Sequence, residues 1–231
     1  MNELLFFGFV LILMGVNLYA FRKGITYMYI LIAVYTLMMN IFVVKQFNLF
    51  GLAVTGGNAL YGAIFLLTDL LSEHHGEKQA VKSVKIGFGV MLLFVLFTQV
   101  LILFEPNSFD YADESVRTLF AVTPRILAGS LLAYFIAQRL DIFFYKKLKE
   151  LTKGKYLFIR NNGSTMLSQL IDTLIFTSVG LTAFSFLPFG GVITPDIFWQ
   201  NVLFTYIIKL IVAALDTPFL YFSYRLKPTR N

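Results

Sequence analysis

The chain has 231 residues, 58% of them hydrophobic and only 14% charged, with a mean hydropathy of +0.74, a net charge of +6 and no cysteine. Water-soluble domains run about 45–50% apolar and about 25% charged, so this balance excludes a soluble enzyme and makes a bilayer the solvent. Disulfide frameworks, thiolate nucleophiles and cysteine metal sites are excluded for want of sulfur.

A helix needs roughly 20 apolar residues to cross about 30 Å of hydrocarbon. Seven runs qualify, near 4–21, 25–44, 48–71, 86–104, 118–140, 164–187 and 197–222. The expectation is an all-α integral membrane protein, a bundle of about seven transmembrane helices forming one polytopic domain over 1–231. The first run carries Glu3 at its head and its basic pair, Arg22 and Lys23, behind it, so it reads as a retained span and not as a signal peptide. The second carries Asn40 and, close to the outer surface, Lys45. The third holds Gly51, Gly56 and Gly57 beside Asn58, which either break the helix to expose backbone groups or allow close helix packing. It ends in Thr68, Asp69 and Glu73, whose i, i+4 spacing puts both carboxylates on one face. His74 and His75 follow; adjacent histidines at a helix end point in different directions, so no metal site is expected there.

The fourth run leads into an acidic loop of Glu105, Asp110, Asp113 and Glu114, opposed by Arg117. The fifth carries Arg125 after Pro124, then Gln138 and Asp141, with Asp141 read as lying at a cytoplasmic helix end. Residues 141–163 read as a basic cytoplasmic loop or short amphipathic helix, its lysines a solvated face near anionic headgroups. The sixth repeats the Gln-x-x-Asp spacing in Gln169 and Asp172; counted from Ser164, Asp172 is about 12 Å along the helix, too deep for a bare carboxylate, and needs a partner or a proton. The seventh supplies Lys209 near its middle and Asp216, seven residues on, on nearly the same face.

A charge retained in a span costs on the order of 3 kcal/mol or more, so these residues carry the functional signal. One reading is a network of buried ion pairs in which Arg125 and Lys209 neutralise Asp69, Glu73, Asp172 and Asp216. The other, favoured because six spans supply amide or charged groups where packing would need few, is a translocation site. Its substrate-binding candidates are Asn40, Asp69, Glu73, Arg125, Gln138, Gln169, Asp172 and Lys209. Phosphate-binding glycine loops, zinc-protease helices and serine elbows are absent from the sequence, leaving ATP hydrolysis and hydrolase chemistry without a motif. A membrane enzyme using paired carboxylates lacks a nucleophile, and no cofactor is expected.

Five stretches in order resemble the queuosine precursor transporter family, also called the vitamin uptake transporter family: NIFVVK (Asn40 to Lys45), FLLTDLLSEHHG (Phe65 to Gly76), PRILAGSLLAYFIAQRLD (Pro124 to Asp141), IRNNGSTMLSQLIDT (Ile159 to Thr173) and YIIKLIVAALDTP (Tyr206 to Pro218). Gly62 stands where many members have proline, and His75 where a tyrosine commonly precedes the glycine. The resemblance implies a six-span core with the first span as an N-terminal addition, and uptake of 7-deazaguanine bases, chiefly 7-cyano- and 7-aminomethyl-7-deazaguanine, salvaged for queuosine in tRNA. The layout is similar to the membrane components of energy-coupling-factor vitamin importers, but family members work without the ATPase module. The alternative is a binding component that needs such a partner. Expected partners are therefore the base and the bilayer, with a homodimer left open, no nucleic acid and no ATPase subunit. The residues fit independently: a carboxylate accepts the N–H and amino donors of a guanine-like edge, and amides or cations serve its carbonyl.

Charge placement sets the expected orientation, because cytoplasmic loops collect Lys and Arg. Fifteen of the 19 basic residues alternate onto one side, opposite Glu3, the acidic loop and Asp196. The expected protein sits in a bacterial-type cell membrane with its N-terminus outside and its C-terminus in the cytoplasm. Single cysteines are informative in a chain that has none of its own. Asp110→Cys is expected to react with an impermeant maleimide in intact cells and Lys153→Cys only after permeabilisation; the reverse pattern would refute this topology.

Overall fold

The structure is a computed structural model that describes residues 1–42, 45–120, 124–182 and 195–226, with the backbone alone described at 40, 46, 52, 53, 55, 124–127, 181 and 197. The side chains of Asn40 and Arg125 therefore lie outside the described residues. In chain order the elements are α1 (Asn2–Lys23), α2 (Ile25–Phe42), β1 (Gln46–Leu49), β2 (Leu52–Thr55), α3 (Gly57–His74), α4 (Glu77–Leu101), α5 (Asp113–Phe120), α6 (Pro124–Leu151), α7 (Leu157–Ile175) and α8 (Phe198–Ser223). A π-helical turn, Phe176–Leu181, continues α7, and a 3₁₀ turn, Pro195–Ile197, precedes α8. Among the described residues the chain is thus an all-α bundle apart from one short hairpin. Three of the described helices, α1, α4 and α8, are long and apolar enough to cross a membrane by length and composition.

The bundle is built round α3. Its sequence is apolar on every side, the pattern of a helix buried in a core, and every residue from Ala59 to Leu71 is buried. Around it pack α1, α2, α4, α6 and α8. The outer helices present large apolar side chains outward, among them Leu4, Leu11 and Ile12 of α1, Leu93, Leu96 and Phe97 of α4, and Leu203 and Ile211 of α8. In water such a surface would drive aggregation; in lipid it costs nothing, because the acyl chains are as apolar as leucine.

Helices α6 and α7 form the closest pair and run antiparallel. The Ser168 hydroxyl donates to Asp141 at 3.0 Å, and a Cβ built on Gly129 would lie 2.6 Å from the Cα and the backbone nitrogen of Gly180. Both contacts belong to one register, which brings Gln138 level with Asp172 and Asp141 level with Gln169. The two Gln-x-x-Asp pairs therefore face each other head to tail.

Three sequence expectations are corrected. Residues 48–56 do not open the third helix: Leu49 pairs with Leu52 across a two-residue turn at Phe50 and Gly51, both with positive φ (51° and 81°), the signature of the tight turn that matches hairpin twist. The glycines thus end a hairpin, and Gly56 sits at the N-cap of α3. Residues 141–163 are mostly helix. The segment IFFYKKLKEL consists largely of good helix formers and carries α6 on to Leu151, leaving 152–156 as the turn before α7. Asp141 is consequently not at a helix end but ten residues before it, fully buried. Because α7 begins at Leu157, Asp172 stands about 22 Å along its helix and not 12 Å.

The acidic loop folds its end into α5. Arg117 donates through Nε to both oxygens of Asp113 at 2.8 and 2.7 Å, and through its terminal nitrogens to the carbonyls of Ile102 and Phe104. It thereby closes the C-terminal end of α4, whose last carbonyls lack partners within the helix. The hydrogen bond to Asp113 holds the Arg117 guanidinium above its ordinary value.

The α6–α7 contact yields a test. Gly129→Leu is expected to lose about 1–3 kcal/mol or more through overpacking, because its side chain meets backbone and not a movable tip. Gly8→Leu, on a face with nothing within 4 Å, should be silent. Thermal unfolding of the detergent-purified variants checks both.

Candidate functional site

Polar side chains inside the bundle line up along α3 in three tiers, from Tyr61 to Glu73, about 18 Å of helix. Side chains from α3, α6, α7 and α8 meet at each level, and the candidates drawn from the sequence fall along this column.

The first tier is centred on Asp172. Its Oδ1 accepts the hydroxyl of Tyr61 at 2.5 Å, and its Oδ2 pairs with the Nζ of Lys209. The Lys209 ammonium also lies 4.8 Å from the centre of the Tyr61 ring, a cation–π position, and Tyr134 packs edge-on against the same ring with centroids 6.3 Å apart. Asp172 thus has the partner its depth demanded. A carboxylate offers about four lone-pair sites, so two remain open. Level with it, Gln138 is wholly buried and neither its amide nitrogen nor its oxygen has a hydrogen-bond partner; the Gln169 oxygen is also unpaired. Buried amides without partners cost stability and are accounted for when a ligand completes them.

The second tier holds three buried carboxyl groups, Asp69 of α3, Asp141 of α6 and Asp216 of α8. Asp141 accepts from Ser168, and Asp216 accepts from the Asn161 amide at 2.7 Å. Asn162 and Asn161 donate to Thr217 at 2.7 and 3.3 Å. Asp69 and Asp141 lie within hydrogen-bonding reach of each other, and the Oδ2 atoms of all three aspartates receive no donor.

The third tier surrounds Glu73. Arg160 donates to its Oε1 at 2.7 Å, and the Tyr224 hydroxyl donates to that oxygen too; Tyr145 donates to Oε2 at 2.9 Å, and Lys149 lies 3.0 Å from Oε2. Arg160, 2% exposed, also donates to the Gly154 carbonyl at 2.5 Å and so ties down the α6–α7 turn. His74 meets the Ser223 hydroxyl at 2.7 Å and packs on Phe21, with ring centres 4.6 Å apart; this is a packing role.

Six candidates, Asp69, Glu73, Gln138, Gln169, Asp172 and Lys209, are brought into the column, but on different levels. Glu73, with four partners, is a full turn beyond Asp69 and is not beside Asp172. The ion-pair expectation is half met. Lys209 neutralises Asp172 alone, and Glu73 is neutralised by Arg160 and Lys149, which had been counted with the solvated loop. Arg160, Asn161, Asn162, Ser168, Tyr145 and Tyr224 went unselected. The signal for Arg160 was present in the adjacent Asn-Asn pair, a polar stretch that becomes intelligible once α7 is seen to begin before it.

A family described as "Putative vitamin uptake transporter" matches residues 55–223. A Bacillus subtilis protein named "Probable queuosine precursor transporter" is 37% identical over 211 residues, 90% of this chain and 89% of its own length. A Haemophilus influenzae protein of the same name is 29% identical over 133 residues, 57% of this chain and 54% of its own length. No solved structure matches the chain.

The Glu73 tier predicts its own energetics. Arg160→Gln leaves a buried carboxylate with only the half-exposed Lys149 as counter-charge, and is expected to cost about 3 kcal/mol. Replacing both partners, Glu73→Gln with Arg160→Met, should recover much of it. Melting of the parent, Arg160→Gln and the double variant in detergent compares the two losses; a single variant as stable as the parent would count against a structural ion pair.

Proposed function

We propose, because this chain belongs to the vitamin uptake transporter family, that it imports a 7-deazaguanine base such as 7-cyano- or 7-aminomethyl-7-deazaguanine as a secondary carrier. The family is one of transporters and not of enzymes, and the chain is a membrane protein. The name of the Bacillus relative supports the class of substrate.

The observation that carries this reading is the Asp172 tier. A carboxylate with two open lone-pair sites faces the level of a buried glutamine whose amide is wholly unpaired. A 7-deazaguanine presents an N1–H and an amino group as donors beside a carbonyl acceptor. Asp172 accepts the two donors at its open lone-pair sites, and the amides of Gln138 and Gln169 serve the remaining edge. Tyr61 and Tyr134 supply the aromatic faces. A site that pairs every edge rejects analogues lacking one, since its own buried groups would then be left unpaired. Sites near the middle of a bundle, between elements that can move relative to one another, suit alternating access. The Glu73 tier joins α3, α6, α7 and α8 at the end where the basic residues collect, and closes the cytoplasmic side in this state. No ATPase partner is needed; the carrier acts alone.

Asp172→Asn is expected to abolish uptake while leaving protein in the membrane, whereas a residue that merely held helices together would lose both in parallel. Immunoblots beside labelled-base uptake separate these. In competition, a 7-deaza analogue without the amino group should bind roughly 10- to 150-fold more weakly, the equivalent of about 1.5–3 kcal/mol for a hydrogen bond to a charged group. Equal competition would remove Asp172 from the recognition edge even with transport intact.

A further inference from the structure

The carboxyl groups of the second tier are left over when the substrate site and the Glu73 network have been assigned. We propose that the Asp69–Asp141 pair, supported by Asp216, is a proton-binding site distinct from the Asp172 site, and that a proton held there enters the cell with each molecule of base. The inference rests on the carrier reading and supplies its driving ion.

The geometry of the pair carries the argument. Asp69 and Asp141 are neighbours, both buried, and the Oδ2 atom of each receives no donor from the protein. Two neighbouring buried carboxyl groups cannot both ionise cheaply and share one proton, as in other carboxyl dyads. Among the described residues no cation is free to take that place. Lys209 is committed to Asp172, and Arg160 and Lys149 to Glu73; Tyr145 donates to Glu73, and His74 is turned to Ser223. Among the described residues, α1, α2 and α4 bring no buried charged side chain. A metal ion fits less well than a proton, because no three carboxylate or histidine groups among the described residues converge as a ligand set.

A second feature points to something bound here. Asn161 is fully buried and aimed into the tier, its amide nitrogen on Asp216 at 2.7 Å while its own oxygen has no partner. Gln138, with both amide atoms open, sits one turn from Asp141 on the same face of α6 and level with Asp172. It is placed to feel both sites, so filling either alters the other through α6. Without the proton, like charges on α3, α6 and α8 repel across the tier and disfavour the packed arrangement; with it, the four helices can close.

Purified full-length protein in liposomes containing a pH-sensitive dye, supplied with labelled 7-cyano-7-deazaguanine, tests this directly. The expected result is acidification of the lumen when base is added outside, and accumulation of base when the lumen is made alkaline. In Asp141→Asn, and independently in Asp69→Asn, base-driven acidification should be lost. Counterflow of labelled against unlabelled base by the parent protein without proton movement would overturn the proton site and leave the carrier reading standing. Absence of counterflow in the parent would overturn the carrier reading and this inference with it. Accumulation driven by a sodium gradient at equal pH, or a proton-to-base ratio in either variant equal to that of the parent, would also overturn it. If neither variant yields folded protein, proton flux in the parent decides.

Discussion

The structure turns on one constraint: α3 is buried on all sides and still carries two carboxyl groups on one face, Asp69 and Glu73. Charge taken out of water must be paired or given up, so every helix packed on that face has to answer it. The arrangement of α6, α7 and α8 round the polar face of α3 is the answer. Arg160, Lys149, Tyr145 and Tyr224 converge on Glu73 from two helices and one helix end. Through its bond to the Gly154 carbonyl, Arg160 also sets where α7 can begin. Apolar packing against α1, α2 and α4 would tolerate several rotations of α3; the carboxyl groups allow one.

The three tiers set chemically similar residues in different surroundings. Four aspartates lie within the column, and their surroundings alone separate them. Asp172 has an ammonium and a phenol. Asp69 and Asp141 have each other. Asp216 has an asparagine amide. A transporter needs a site that recognises, a means of loading the driving ion and a closure that can be released, and identical side chains can serve all three because environment, not identity, sets what a carboxyl group does. The π-helical turn at Phe176–Leu181 and Pro218 in α8 stand beside this column. Both interrupt regular helix hydrogen bonding, and such interruptions recur at functional sites and bends.

Much of this was legible in the chain. Hydropathy located the long helices, since the free energy of transfer into lipid is a sum over local residues and needs no tertiary information. The improbable polar residues inside those runs marked Asp69, Glu73, Gln138, Gln169, Asp172 and Lys209, because a buried charge is expensive wherever it sits. The i, i+4 and i, i+7 spacings placed Asp69 with Glu73 and Lys209 with Asp216 on common faces. What failed was local arithmetic near the ends of elements. Averaging over a hydrophobic window pulled the β1–β2 hairpin into the third helix, and set the end of α6 at Asp141, where lysines begin to interrupt the apolar run.

Composition, apolar periodicity and the cost of intramembrane charge thus determined from the sequence alone that this is an all-α membrane protein with charged side chains retained inside its apolar helices. Only the tertiary structure decided who partners whom. Arg160 reads as one more residue of a basic loop until α7 is seen to begin before it and bring it to Glu73. Asp141 reads as an interfacial residue until α6 is seen to run on beyond it and set it against Asp69. Pairing depends on distance between segments far apart in the chain, 87 residues for Glu73 and Arg160, and a charge's role follows from its neighbours in space, which no local property of the sequence specifies.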